Sequence, residues 1–121
     1  MTPFTCNMEA LKPEERPLHI SLAKELFSTV QAIRNLEDGF AFLFRNKSNA
    51  VTRLAEFISN EHLCCPFFGF AIILEPEGAG LWLNITGGNG IKQFIRAEIG
   101  LALPGELAKQ LDSMINSNEE R

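Results

Sequence analysis

Two apolar segments joined by a turn place the strongest constraint on the fold. Residues 67–74 and 81–86 have the length and composition of β-strands, and Glu75-Pro76-Glu77-Gly78-Ala79-Gly80 between them carries the proline and glycines that favour turns. In the second segment, leucine or isoleucine occupies every other position, so these side chains share one strand face and are predicted to point inward. The two segments therefore predict an antiparallel β-hairpin.

A second hairpin is predicted earlier in the chain. Asp38-Gly39 is a strong turn signal, and residues 39–45 after it alternate so that three phenylalanines share one strand face. The segment before the turn, residues 28–36, fits either the continuation of a helix or a strand. We favour a helix followed by a strand, which leads directly into the turn.

Helices are predicted on both sides of the first hairpin. The first starts near Pro13 and repeats apolar residues every four positions. The second ends near Cys64, because Pro66 biases Cys65 away from helical geometry. Two shorter helical segments follow the second hairpin. The residues predicted to be buried are Leu18, Leu22, Leu26, Phe27, Val30 and Ile33 in the first helix, and Val51, Leu54, Ala55, Ile58 and Leu63 in the second.

This order of elements predicts an α+β fold. Two ββα units form a four-stranded antiparallel sheet, with an extra N-terminal helix and a short C-terminal helix. The 121 residues suffice for one domain with a hydrophobic core. We expect that domain at residues 14–116, preceded by an N-terminal arm at residues 1–13 and followed by a polar tail at residues 117–121.

The predicted strands are apolar on both faces in places. Phe67 and Ile73 alternate with Phe68 and Ile72, whereas a sheet with one hydrated face alternates apolar and polar residues. The second face is therefore predicted to be covered by a terminal helix or by another copy of the chain. A homodimer is one hypothesis for the assembly.

Composition excludes some classes of function. The formal net charge is -4 and no basic cluster is present, which argues against nucleic-acid binding. No apolar run approaches the roughly 20 residues that span a bilayer, and the first residues lack the pattern of a signal peptide. Three cysteines without a secretory context predict reduced thiols and a cytoplasmic location.

The segment richest in chemistry is Glu61-His62-Leu63-Cys64-Cys65-Pro66. Adjacent cysteines rarely form a disulfide with each other, but they can present two sulfurs to one ion. Glu61 and Cys64 are three residues apart, as are His62 and Cys65, so each pair faces the same way on a helix. Thiolate and imidazole groups suit zinc or another thiophilic ion. Glu61, His62, Cys64 and Cys65 are therefore the candidate metal ligands, and Cys6 would add a third sulfur if the arm folded back.

The position of the cysteine pair favours a cation site over a nucleophile. The carboxyl end of a helix carries partial negative charge, which attracts a cation and disfavours a bare thiolate. A soft-metal or metalloid binding protein is the first hypothesis. A thiol-redox protein using the same pair is the second, and whether the protein is an enzyme stays open. In the third, the chain is a homodimeric interaction module and the cysteines only pack in the core. The sequence names neither the ion nor a small ligand.

Two other features have simpler interpretations. Gly87-Gly88-Asn89-Gly90 leads from a strand into a helix but lacks the spacing of either phosphate-binding fingerprint. A tight turn that requires positive φ explains these glycines. His19 is expected on the polar, solvated side of the first helix.

Three motifs carry a resemblance to a known family. They are Glu61-x-x-Cys64-Cys65-Pro66-Phe67, Leu81-x-Leu83 with Thr86-Gly87-x-x-Gly90-x-Lys92-x-Phe94, and Asp38-Gly39-Phe40 before the first aromatic strand. Over residues 14–97 the chain resembles an uncharacterised family of small bacterial proteins. The resemblance implies a bacterial cytoplasmic origin and assigns no activity. It also implies arginine more often at the position of His62, which makes Glu61 and the two sulfurs the better candidates for ligands.

Overall fold

The computed structural model describes the backbone of residues 5–119 and the side chains of residues 5–116. Its helices and its antiparallel sheet confirm the predicted α+β class, and a helix followed by a strand precedes the first turn, as predicted. The helices are α1 (Arg16–Ser28), α2 (Ala50–Cys64), α3 (Ile91–Glu98) and α4 (Gly105–Glu119), and the strands are β1 (Ala32–Leu36), β2 (Gly39–Phe44), β3 (Gly69–Leu74) and β4 (Leu81–Thr86). Short 3-10 turns lie at Met8–Ala10, Pro76–Gly78 and Gly100–Ala102.

The sheet joins the two predicted hairpins through their inner strands. The strand order is β1-β2-β4-β3, and every neighbouring pair is antiparallel. Phe42 lies opposite Ile33 on one side and Leu83 on the other. Gly39 lies opposite Thr86, where an added Cβ would overlap the carbonyl oxygen of Ile85. The close approach of β2 and β4 therefore requires glycine at the start of β2.

The glycine-rich turn before α3 stabilises the same end of the sheet. Gly90 precedes α3 with φ of 89°, a conformation that favours glycine, as the turn prediction expected. The amide of Gly87 donates a hydrogen bond of 3.0 Å to the carbonyl of Asp38. This bond links the turn after β4 to the turn between β1 and β2.

One continuous core lies between the helices and one face of the sheet. All four helices contribute buried apolar side chains to it, together with strand residues that share a face. The fully buried strand residues are Phe40, Phe42, Leu81, Leu83 and Ile85. On the opposite face Trp82 is 6% exposed, since the guanidinium of Arg34 lies 3.9 Å from its ring centre and its indole N–H donates to Glu75. Side chains of the strands and turn thus cover this part of the second face.

The buried face of α1 differs from the predicted stripe. Leu18 is 70% exposed, whereas His19, Leu26 and Phe27 are buried. The buried positions span about 100° around the helix, and Leu18 lies about 80° beyond Leu26, outside that stripe. The expectation of a solvated His19 was also wrong. Its side chain lies on the buried face of α1 and is only 4% exposed.

The buried face of α2 is also rotated from the prediction. Leu54, Phe57 and Cys64 are buried, while Val51 and Leu63 are 38% and 56% exposed. The buried positions follow intervals of three and seven residues, which keep to one face of a helix. This face carries Glu61 toward the core, where the candidate site lies.

The structure has buried or helical residues beyond both predicted ends of the domain. Leu11 in the predicted arm is 3% exposed, and α4 continues to Glu119, beyond the predicted start of the polar tail. Among residues 5–119, we find no helix with the length and apolar character needed to cross a membrane.

Candidate functional site

The carboxyl end of α2 positions the cysteine pair. Cys64 is the last helical residue, and the amide of Cys65 still donates a 2.7 Å hydrogen bond to the carbonyl of Glu61. The backbone of Cys65 is not helical, with φ of -129° and ψ of 69°, as expected for the residue before Pro66. The break places both cysteine side chains in the core, at 1% and 2% exposure.

The N-terminal arm brings the third cysteine to this point. Cys6 forms a disulfide with Cys65, and Cys64 remains a free thiol. The expectation that all three thiols are reduced is therefore wrong for this structure. The pairing joins residues 59 positions apart, which sequence spacing does not reveal.

The arm is held by more than the disulfide. The amide of Asn7 donates a 2.7 Å hydrogen bond to the carbonyl of Cys64. Arg16 Nε donates to the carbonyl of Met8 at 2.9 Å, and Leu11 is buried beyond it. These contacts of the arm do not involve the sulfur atoms.

Cys64 is a buried thiol beside a carboxylate. Its Sγ lies 3.7 Å from Cys65 Sγ and 3.4 Å from Glu61 Oε1, to which it can donate. Burial and then the charge of Glu61 raise the pKa of the Cys64 thiol to about 12. At neutral pH Cys64 is therefore a protonated thiol and a weak nucleophile in the absence of a cation.

Glu61 and His19 complete the cluster. Glu61 Oε1 lies 3.2 Å from His19 Nε2 and 3.5 Å from Cys65 Sγ. The imidazole stacks on Phe57 with ring centres 5.5 Å apart, and among the described residues its Nδ1 has no hydrogen-bond partner. The ligand atoms of His19, Glu61 and Cys64 all lie within 4.8 Å of one another. This set of donors matches the chemistry of a thiophilic metal site.

The structure brings together three of the four residues predicted as ligands. Glu61, Cys64 and Cys65 meet, whereas the side chain of His62 is exposed to solvent. His62 follows Glu61 by one residue and so points about 100° away from it around the helix. His19 of α1 occupies the position that the sequence analysis gave to His62. In the sequence, His19 precedes the buried Phe27 by eight residues, and this spacing is compatible with one buried helix face. It was the sequence pattern that could have predicted the position of His19.

A small cavity opens beside the cluster. Its volume is about 180 Å³, well above the space that one water molecule needs. The cavity lining is mostly apolar, and its charged residues are Glu61 and the exposed Lys24 and Glu98. The residues that line it include His19, Phe27, Phe57, Glu61, Cys64, Cys65, Phe68 and Ile99. Because exposed residues also line it, the cavity is open to solvent.

The number of reactive thiols tests this arrangement. In the oxidised, folded protein we expect no rapid reaction with a thiol reagent, because Cys64 is 1% exposed and Cys6 and Cys65 are bonded. Unfolding in urea without reductant should release one thiol per chain, and unfolding with reductant should release all three. Two or more thiols reacting rapidly in the untreated native protein would contradict the pairing.

No protein-family model, curated protein or solved structure matches the chain. The chemistry of the cluster is therefore the basis for a functional proposal.

Proposed function

We propose that the reduced protein binds a soft metal or metalloid ion through Cys64 and Cys65. Glu61 and His19 are the additional donors next to the two sulfurs. The observation that carries this proposal is the convergence of sulfur, carboxylate and imidazole groups from three separate segments at one cavity. Such a set of groups in one place is typical of metal sites.

The separation of the two sulfurs supports the proposal. Two thiolates that each bind a tetrahedral ion at about 2.3 Å lie about 3.8 Å apart. The observed distance between Cys64 Sγ and Cys65 Sγ is 3.7 Å. An ion can therefore bind both sulfurs without a large rearrangement of the helix end.

The charges around the pair also favour a cation. The carboxylate of Glu61 and the carboxyl end of α2 both place negative charge beside the thiols. Burial and then the charge of Glu61 disfavour the free thiolate of Cys64 and raise the pKa of this thiol to about 12. A bound cation offsets this charge and stabilises the thiolates.

Metal titration of the reduced protein tests the proposal. The full chain is reduced and held without oxygen, zinc or cadmium is titrated in, and the tightly held ion is counted after gel filtration. We expect one ion per chain, and an affinity about 100-fold lower in Cys64→Ser, because each chelating ligand acts at high effective concentration. His62→Ala is the matched control, since it removes an exposed donor from the same helix and should leave the affinity unchanged. Absence of retained ion, or equal affinities of Cys64→Ser and the wild type, would contradict the proposal.

A thiol-redox protein is the second candidate, and the disulfide favours it. The Cys6–Cys65 bond lies beside a third thiol, Cys64, whose sulfur is 3.7 Å from Cys65 Sγ. A redox role predicts that the protein transfers electrons from dithiothreitol to glutathione disulfide faster than the uncatalysed reaction, without any ion. The high pKa of Cys64 makes it a weak attacking group and places this candidate second.

A further inference from the structure

We infer that the ion bound is a trivalent metalloid held by the sulfurs of Cys6, Cys64 and Cys65. This inference rests on the proposed function, names the class of ion, and makes the sulfur of Cys6 the third ligand in place of Glu61 and His19. Its basis is the position of Cys6 and the charge balance of the mostly apolar cavity.

Geometry supplies the third sulfur. Cys65 Sγ is bonded to Cys6 Sγ and lies 3.7 Å from Cys64 Sγ, and all three cysteines line the cavity. Reduction breaks the bond between Cys6 and Cys65 but leaves the hydrogen bond from Asn7 to Cys64. Burial of Leu11 anchors the arm further along. Cys6 therefore stays within reach of the other two thiols in the reduced protein.

Charge balance distinguishes a trivalent ion from a divalent one. Three thiolates and a divalent cation carry a net charge of -1, to which the neighbouring carboxylate of Glu61 adds another negative charge. Lys24 and Glu98 also line the cavity, but both are exposed and their charges are opposite. Net charge in the remaining, mostly apolar part is costly because it loses its hydration. Three thiolates and a trivalent ion are neutral together. Glu61 then stays outside the coordination shell with His19 Nε2, its neighbour at 3.2 Å, as its partner.

The metalloid binds in two steps, reduction of the disulfide and then ligand exchange. A dithiol reductant first passes two electrons and two protons to the Cys6–Cys65 disulfide, which yields two thiols and oxidises the dithiol to its own disulfide. A trivalent metalloid trihydroxide then exchanges its hydroxides for the three thiols. Three metalloid–sulfur bonds form, three metalloid–oxygen bonds break, and each thiol proton leaves with a hydroxide as water. The oxidation state of the metalloid does not change, and no net charge enters the cavity.

Arsenite is the probe for this inference. It is added to the reduced full-length protein without oxygen, and X-ray absorption counts the sulfur atoms bound to arsenic. We expect one arsenic per chain with three sulfur neighbours. Cys6→Ser should lower the arsenite affinity about 100-fold, because it removes one arm of the chelate. Phenylarsine oxide, which has bonds for only two thiols, should bind Cys6→Ser as well as it binds the wild type.

The controls separate this inference from the proposed function. The reduced wild type and Cys6→Ser both lack the disulfide. A difference in their arsenite affinity therefore measures the contribution of the Cys6 sulfur as a ligand. Two sulfur neighbours around arsenic, or equal arsenite affinities in the two proteins, would overturn the three-thiolate site. Retention of zinc or cadmium by Cys64 and Cys65 in that case would leave the proposed function intact. Failure of arsenite, zinc and cadmium to bind would overturn both.

Discussion

Reducing the Cys6–Cys65 disulfide should lower the free energy of unfolding by about 4 kcal/mol. The bond joins residues 59 positions apart, and the chain-entropy model for a closed loop of this size gives that magnitude. For a domain of this length the loss corresponds to a fall in melting temperature of about 15 °C. Denaturant unfolding of the full chain, followed with and without a non-thiol reductant, measures the difference directly.

Two variants control for effects of the reductant itself. Replacing both Cys6 and Cys65 with serine should reproduce the loss, and the reductant should then have no further effect. Cys64→Ser should keep the response to reductant, because Cys64 takes no part in the bond. Equal stability of the oxidised and reduced wild type would contradict the loop-entropy value for this disulfide.

The strands and their pairing could be predicted because their signals are local. Alternation of apolar residues and the Asp38-Gly39 turn depend on neighbours in sequence, and the structure places both hairpins where the pattern indicates. The end of α2 was predictable for the same reason, since Pro66 acts on the residue before it. Glu61, Cys64 and Cys65 lie within five consecutive residues at the end of one helix, so their proximity could also be predicted from the sequence.

The rest of the site depends on contacts between distant segments. Cys6 reaches Cys65 only because the arm folds over the end of α2, and no sequence spacing encodes that path. His19 was assigned to solvent because its neighbours Leu18 and Leu22 fit an apolar repeat. Packing of α1 against α2 instead selects the face that carries His19 and Phe27, and it leaves Leu18 exposed. Which of two overlapping helix faces is buried depends on where the partner helix packs, and the sequence does not show that position.

The aromatic packing beneath the site sets its rigidity. Phe57 is 1% exposed and makes an edge-to-face contact with Phe27 at 5.3 Å between ring centres. It also stacks on the imidazole of His19, which lies between this ring and Glu61. The same side chain therefore supports the core and the orientation of a candidate ligand.

Phe57→Ala should accordingly destabilise the oxidised protein by about 3–5 kcal/mol, because it removes a buried aromatic ring and leaves a cavity. Phe57→Leu keeps most of the volume and should cost about 1.5 kcal/mol or less, so it allows ion binding to be measured in a folded protein. Leu63→Ala on the same helix is the matched control, since its side chain is 56% exposed and its loss should change stability by less than about 0.5 kcal/mol. Denaturant unfolding gives all three values, and zinc titration of reduced Phe57→Leu shows whether His19 needs the stacked ring. A cost for Phe57→Ala as small as that of Leu63→Ala would mean that α2 does not bury this face, and the positions of Glu61 and Cys64 in the site would then be wrong as well.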